Sequence, residues 1–189
     1  MRATECLRVG RGLVLLALAL PALAHEGPAP NRVDVSPTLT TSGQPTPAFL
    51  QTLKSQGFEV VIYLAPPTVG DAVAEEPKIV GRQGLVFVNI PMDFSNPTAA
   101  DFQAFTRVMQ AFAGRKVFVH CQMNFRASSL VFLHRAITLR EPPGPAWESV
   151  QKAWVPNPTW KKISGDPKYK DNVAKIISVF LKRTAASQI

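Results

Sequence analysis

The feature that most constrains the fold is a short apolar run that ends abruptly at a cysteine. Residues 116–120 are rich in β-branched side chains and follow Gly114, a pattern typical of a buried strand. Four residues separate Cys121 from Arg126, and residues 128–139 are apolar nearly all round, as in a helix buried on several sides. The pattern predicts a strand, a short loop and a buried helix, with Cys121 and Arg126 at the N-terminus of that helix.

The predicted position of Cys121 and Arg126 is suited to anion chemistry. The first backbone N–H groups of a helix have no partner inside the helix, and the positive end of the helix dipole lies there. Such a terminus binds oxyanions, and a cysteine placed there is a reactive nucleophile. One loop could therefore supply both a nucleophile and a cradle for an anion.

Strand and helix signals alternate through the rest of the chain. Strands are expected at residues 35–42, as an edge strand, at 59–64 and at 85–90, with a loop containing about one helical turn at 65–84. Helices are expected to begin at Thr46 with Pro47, at Thr98, before Trp147 and at Asp166. This alternation predicts a single α/β domain, residues 35–189, with a mainly parallel sheet flanked by helices.

The first residues have the pattern of a secretory signal peptide, residues 1–24. Three arginines precede an apolar run at residues 13–20, and an Ala-x-Ala cleavage signal ends at Ala24. The run is too short to span a membrane, so we expect a cut after Ala24, a periplasmic or secreted location and no stable membrane span after cleavage. An uncleaved anchor is the alternative. Residues 25–34 are polar and proline-rich, which predicts a flexible lead-in.

Only one of the two cysteines is expected to remain after this cleavage. Cys6 lies in the signal segment, so Cys121 would be unpaired in an oxidising compartment where cysteines normally form pairs. Such a cysteine is either a small buried hydrophobe or a working thiol, and its place between strand and helix favours the thiol. The formal net charge falls from +8 to +6 on this cleavage. The surplus favours anionic small molecules, acidic glycans or a membrane surface over nucleic acid, although a generally basic, soluble surface explains it equally well.

Two motifs carry a resemblance to a known family. His120-Cys121-x4-Arg126-Ala127-Ser128 and the earlier Ser42-Gly43-Gln44-Pro45 resemble the bacterial protein-tyrosine-phosphatase-like family, in particular the phosphatase-like domain of the beta-lactamase hydrolase-like proteins. The resemblance covers residues 35–139. It implies a dual-specificity-phosphatase-like fold, a phosphorylated substrate and a phosphocysteine mechanism that uses no metal and no other cofactor.

The resemblance also implies roles for individual residues. Cys121 would be the nucleophile and Arg126 the phosphate clamp, for which the alternative is an ordinary ion pair at a helix start. His120 would orient the loop or stabilise the thiolate, and Ser128 would donate a hydrogen bond to the departing sulfur. A core histidine and an ordinary first-turn serine are equal alternatives. The phosphate-binding loop would comprise Gln122, Met123, Asn124, Phe125 and Arg126.

A phosphate ester also needs a general acid that protonates its leaving oxygen. Asp93 lies in the loop after a predicted strand, where related phosphatases keep this acid. Asp101 is the rival, but its position three residues after Thr98 is typical of a capping box. Asp93 could also be only a turn residue. The need for an acid matched to the nucleophile favours the catalytic role for Asp93.

The loop departs from the common tyrosine-phosphatase pattern, and other functions therefore stay open. Most of those enzymes have five residues between Cys and Arg with a central Gly, whereas this chain has four, with Asn124 near the Gly position. Asn tolerates a left-handed backbone better than most residues, so the turn is still expected. The alternatives are a rhodanese-like sulfurtransferase with a persulfide on Cys121, and a non-catalytic phospho-ligand or anion-binding protein. The substrate class and the oligomeric state are not determined by the sequence.

The tryptophans of the last third of the chain have two interpretations. Trp147 and Trp154 recur with Val150 at helical spacing, which favours packing. Together with Trp160 and the lysines that follow it, they could instead form a basic aromatic rim for an anionic substrate.

Overall fold

A five-stranded sheet positions the rest of the molecule. The structure is a computed structural model that describes residues 28–160. The strands are β1 (Val33–Ser36), β2 (Leu39–Ser42), β3 (Val60–Tyr63), β4 (Val86–Asn89) and β5 (Val117–His120), in the spatial order β1-β2-β5-β3-β4. β1 pairs antiparallel with β2, and the other pairings are parallel. The expected α/β fold with a mainly parallel sheet is confirmed.

Helices cover both faces of this sheet. They are α1 (Pro47–Leu50), α2 (Glu76–Arg82), α3 (Ala99–Ala111), α4 (Phe125–Leu133) and α5 (Pro143–Ala153), and a π-helical segment, His134–Thr138, continues α4. Alternate side chains of a strand point to opposite faces, so Val60 and Ile62 pack with α3, α4 and α5, while Val61 packs with α1 and α2. Each face of the sheet therefore has its own apolar core.

The carboxyl ends of four strands are level with one another. Ser42 of β2 and Tyr63 of β3 lie on either side of His120 of β5. Tyr63 is in turn opposite Asn89 of β4. The loops that leave these strands meet at one edge, which in open α/β sheets is the edge where ligands bind. Cys121 directly follows β5, the central strand of the five-stranded sheet.

Two helix starts agree with the sequence pattern. Thr46 caps α1 by accepting a hydrogen bond from the backbone N–H of Phe49, with Pro47 in the first turn. Thr98 and Asp101 form a capping box on α3, because Asp101 N–H donates to Thr98 Oγ1 at 3.2 Å and Thr98 N–H donates to Asp101 Oδ2 at 2.8 Å. The structural role expected for Asp101 is thereby confirmed.

Two expected elements differ in the structure. Residues 35–42 belong to a hairpin rather than to one edge strand, and its second strand, β2, is an interior strand of the sheet. Pro37 lies between the two strands, and a proline cannot donate to a sheet ladder. The stretch 65–84 contains the seven-residue helix α2 rather than about one turn. Pro77 lies in the first turn of α2, where the missing N–H costs nothing.

The expected flexible lead-in, residues 25–34, also differs where the structure describes it. Ala29 and Val33 are buried, and β1 already begins at Val33. The expectation of flexibility is wrong for residues 28–34, because their backbone is hydrogen-bonded to the segment that follows β2. The expected signal peptide, residues 1–24, and the expected helix from Asp166 lie outside the described residues. Within residues 28–160, no helix combines the length and the apolar character needed to cross a bilayer.

His134 makes the stability of the fold depend on pH. Its side chain is buried at the start of the π-helical segment, and its ring meets Phe105 edge-on with centroids 6.1 Å apart. Burial lowers the pKa of His134, and the charge of Glu141 opposes this effect only in part. The unfolded chain therefore binds this proton more readily than the folded protein. The stability contributed by neutral His134 is present above the unfolded pKa and is lost as the pH falls through the folded one.

We expect the free energy of unfolding to fall more steeply from about pH 7 to about pH 5 in the wild type than in His134→Leu. Leucine is apolar and does not titrate, so the difference between the two slopes isolates His134. Urea unfolding at several pH values measures both slopes. Parallel slopes would show that His134 binds its proton equally well in both states.

Candidate active site

A segment that follows β2 supports the loop that begins at Cys121. Cys121 N–H donates to Ser42 O at 3.3 Å, and Gln44 N–H donates to Gln122 O at 2.8 Å. Gly43 lies between these contacts, and a Cβ on Gly43 would be 2.7 Å from Gln122 O. Glycine is required at this position because no side chain fits between the two segments.

The loop enters α4 through Asn124, which has a left-handed backbone with φ 68° and ψ 2°. This conformation agrees with the expectation for an Asn near the usual Gly position. The buried side chain of Asn124 donates through Nδ2 to Thr41 Oγ1 at 3.0 Å and to Asn31 O at 2.5 Å. Ser128, the candidate donor to the sulfur, gives its hydroxyl hydrogen to Asn124 O at 2.7 Å. In this arrangement the Ser128 hydroxyl stabilises the loop.

Residues 28–31, which we call the N-terminal strap, run along the same loop. Pro28 O accepts from Thr46 N–H at 2.9 Å, and Pro30 O accepts from Gly43 N–H at 2.6 Å. Asn31, itself left-handed with φ 50°, donates from Nδ2 to Met123 O at 3.0 Å. Sequence reasoning missed the strap, because a proline-rich stretch without periodicity gives no local signal for contacts of this kind.

Cys121 and Arg126 line a common cavity of about 210 Å³. Its walls are formed by Phe94, Cys121, Gln122, Met123, Phe125 and Arg126. Arg126 is 5% exposed, and its Nη2 donates to Gln122 Oε1 at 3.3 Å. Among the described residues, its buried Nε has no hydrogen-bond partner. A buried guanidinium with an open donor gains free energy when an oxyanion arrives, so the cavity combines the predicted nucleophile with a site for an anion.

His120 lies next to the cysteine in a buried polar chain. Its Nε2 is 2.6 Å from Glu76 Oε1, and its ring stacks on Tyr63 with centroids 4.8 Å apart. The other carboxylate oxygen of Glu76 accepts from Gln44 Nε2 at 3.0 Å. Gln44 thereby connects the loop to the pair of Glu76 and His120. Glu76 was not among the candidates, because nothing in the sequence distinguishes it from its exposed neighbour Glu75.

Asp93 lies in the loop after β4, as expected, and is exposed. Its Oδ1 accepts a hydrogen bond from Ser95 N–H at 2.8 Å, which is the turn contact of the alternative role. The next residue, Phe94, lines the cavity, with its ring centroid 5.4 Å from the guanidinium carbon of Arg126. Asp93 is therefore a neighbour of the cavity wall and not part of it.

Aromatic side chains support this wall. Phe125 stacks on Trp154 with centroids 4.2 Å apart, and Phe94 stacks on Trp160 at 5.4 Å. Trp160 Nε1 also donates to Phe94 O at 3.0 Å. Trp147 is instead buried in the core, as the packing interpretation predicts. The lysines after Trp160 lie outside the described residues.

A parallel sheet whose central strand leads through a Cys-x4-Arg loop into a buried helix is the arrangement expected of protein-tyrosine-phosphatase-like hydrolases. A family model described as "DSP-PTPase phosphatase fused to NAD+ Kinase" matches residues 27–151, and the chain belongs to this family. The beta-lactamase hydrolase-like protein of Agrobacterium fabrum (strain C58 / ATCC 33970) is 32% identical over 108 residues. That match covers 56% of this chain and 25% of the relative, so the chain spans about a quarter of the relative's length.

Solved structures have the same fold. A DUF442 protein from Shewanella putrefaciens CN-32 is 27% identical with a TM-score of 0.66, over 80% of this chain and 94% of that one. The core catalytic domain of the PP-IP phosphatase SIW14 from S. cerevisiae has a TM-score of 0.62 at 14% identity, over 80% and 93% of the two chains. At this low identity, the second comparison shows the fold alone. The expected resemblance and the dual-specificity-phosphatase-like fold are confirmed.

Proposed function

We propose that this chain is a periplasmic or secreted phosphatase that hydrolyses a phosphate monoester through a phosphocysteine intermediate. The observation that carries the proposal is the cavity lined by both Cys121 and Arg126, whose buried Nε has no partner among the described residues. Membership of a phosphatase family supports the reaction class. The signal-peptide pattern of residues 1–24 supports export.

In the first step, the thiolate sulfur of Cys121 attacks phosphorus and the bond from phosphorus to the ester oxygen breaks. The electron pair of that bond leaves with the oxygen, and Asp93 donates the proton that completes the alcohol. Arg126 and the backbone N–H groups of the loop hold the remaining phosphate oxygens, which carry the developing charge. Oδ1 of Asp93 accepts from Ser95 N–H, so the other carboxyl oxygen is the one that would carry the proton to the leaving group.

In the second step, water attacks phosphorus and the sulfur–phosphorus bond breaks, which releases inorganic phosphate and the thiolate. Asp93, now a carboxylate, accepts a proton from the attacking water. His120, Glu76 and Ser128 contact the loop or the strand before it and act as positioning residues.

Phosphate release from p-nitrophenyl phosphate, under reducing conditions, tests the proposal by comparing the wild type with Cys121→Ser. A serine hydroxyl is a far weaker nucleophile than a thiolate, so we expect turnover to fall by ~10³-fold or more. Binding of inorganic phosphate and the urea unfolding midpoint should stay close to those of the wild type, because serine is nearly isosteric with cysteine.

Turnover that survives the substitution would contradict the phosphocysteine mechanism. Thiocyanate formation from thiosulfate and cyanide, without phosphate release by the wild type, would instead identify a sulfurtransferase. Phosphate binding with neither reaction would identify a binding protein on the same fold.

A further inference from the structure

A carboxylate is tied to the anion loop at the edge of the cavity. Asp71 is exposed in the segment between β3 and α2, and its Oδ1 accepts a hydrogen bond from Gln122 Nε2 at 2.9 Å. The same Gln122 side chain accepts from Arg126 Nη2 at 3.3 Å. One side chain thus connects the exposed carboxylate with the buried guanidinium. Because Gln122 also lines the cavity, Asp71 is hydrogen-bonded to the cavity wall from outside, and we call this position the rim.

The charge of Asp71 also acts on Tyr63, which stacks on His120. Burial raises the pKa of Tyr63 to about 12, and the charges of Asp71 and Glu76 act in the same direction. The charge of Arg126 opposes them, and that of Cys121 adds to them. Tyr63 stacks on His120 at the end of β5, so the charge of Asp71 acts on a residue that contacts the strand leading into the anion loop.

Among residues 28–160, the rest of the cavity wall offers no second cation. Of the six residues that line the cavity, Arg126 alone carries a positive charge, and Phe94, Met123 and Phe125 are apolar. One phosphate group uses Arg126 and the N–H groups of the loop. Within the described part of the chain, a second anionic group on the same ligand would find no cation on this wall and would lie near the carboxylate that Gln122 holds.

We propose that Asp71 is a specificity residue that selects phosphate monoesters without a second anionic group beside the phosphate, an inference that rests on the proposed function. The preferred substrate is a singly phosphorylated molecule whose neighbouring groups are neutral or basic. Pyrophosphates, polyphosphates and phosphates flanked by carboxylates are disfavoured, because like charges at close range repel one another. The positive net charge, +8 for the full sequence and +6 without residues 1–24, attracts anions from a distance, and Asp71 discriminates among those that arrive.

Asp71→Asn removes the charge and keeps the contact, because an amide oxygen can still accept from Gln122 Nε2. Three phosphotyrosine peptides that differ only in Glu, Gln or Lys on both sides of the phosphotyrosine are compared by kcat/KM. The wild type should prefer Lys flanks to Glu flanks, and the ratio of kcat/KM for the Lys peptide to that for the Glu peptide should shrink by ~3- to 10-fold in Asp71→Asn.

The matched control is Glu75→Gln, because Glu75 is an exposed carboxylate of the same segment that pairs with Lys78 at 3.1 Å. Its ratio should equal that of the wild type.

Binding separates this inference from the proposed function. Inorganic phosphate and pyrophosphate are titrated calorimetrically into the Cys121→Ser protein, with and without Asp71→Asn. We expect the affinity for pyrophosphate relative to phosphate to rise by ~3- to 10-fold on removal of the charge, and this gain to shrink at high salt. An unchanged binding ratio would overturn the role of Asp71. A wild type that hydrolyses nothing, together with a changed binding ratio, would overturn the proposed function and support the role of Asp71.

Discussion

Replacing Asp93 by asparagine is expected to lower kcat/KM for an alkyl phosphate by ~10²- to 10⁴-fold, and for p-nitrophenyl phosphate by about tenfold at most. An alkoxide leaves only if its oxygen is protonated as the bond to phosphorus breaks, whereas p-nitrophenolate leaves without a proton. Asparagine keeps the shape of the side chain and has no acidic proton. It can still accept the Ser95 N–H hydrogen bond that Asp93 Oδ1 accepts at 2.8 Å, so the turn is preserved.

The decisive measurement is the ratio of kcat/KM for the two substrates, taken in the wild type, Asp93→Asn and Asp101→Asn. Asp101 belongs to the capping box of α3, so its substitution should lower thermal stability and leave the ratio unchanged. An unchanged ratio in Asp93→Asn would show that Asp93 does not act as the general acid.

The centre of the site could be predicted from the sequence because its signals are local. A β-branched strand, the Cys-x4-Arg spacing and an apolar helix follow one another without interruption. The left-handed backbone of Asn124 is equally local, since it follows from the intrinsic preference of asparagine. The capping box is also local, because Thr98 and Asp101 exchange hydrogen bonds within the first turn of α3.

Contacts between distant parts of the chain could not be predicted in this way. Glu76 pairs with His120 only because the parallel sheet places α2 beside the end of β5, and nothing in the sequence marks Glu76 for burial. Asn31 contacts Met123 although the two residues are 92 positions apart in the chain. Asp71 reaches Gln122 from the segment between β3 and α2, which contains no periodic pattern.

The left-handed turn at Asn124 links these local and distant contacts. Its backbone preference is set by the residue itself, but its side chain is anchored on Thr41 of β2 and on Asn31 of the N-terminal strap. Thr41 and Asn31 thus hold the turn in a loop that lacks the central Gly of most tyrosine phosphatases. Activity should therefore depend on the free-energy cost of the left-handed backbone at residue 124.

Asn124→Ala is expected to lower kcat/KM by ~30- to 300-fold, and Asn124→Gly by about tenfold or less. Both substitutions remove the hydrogen bonds to Thr41 Oγ1 and Asn31 O, and each leaves a space where the amide was. Only alanine must also bear the cost of a left-handed backbone, ~1–2 kcal/mol. Glycine adopts this conformation freely, so the difference between the two variants isolates the backbone.

The two variants are compared by kcat/KM for p-nitrophenyl phosphate and by inorganic phosphate binding, with urea unfolding as the control for stability. If the turn shapes the cradle, the alanine variant loses phosphate affinity together with turnover, and urea unfolding shows that both variants are fully folded under the assay conditions. Equal activity of the two variants would contradict the prediction, because the cradle would then not need the left-handed turn. Equal and large losses would show that activity requires the hydrogen bonds of the Asn124 side chain. Asn31→Ala should then reproduce part of the loss, because Asn31 Nδ2 donates to Met123 O in the same loop.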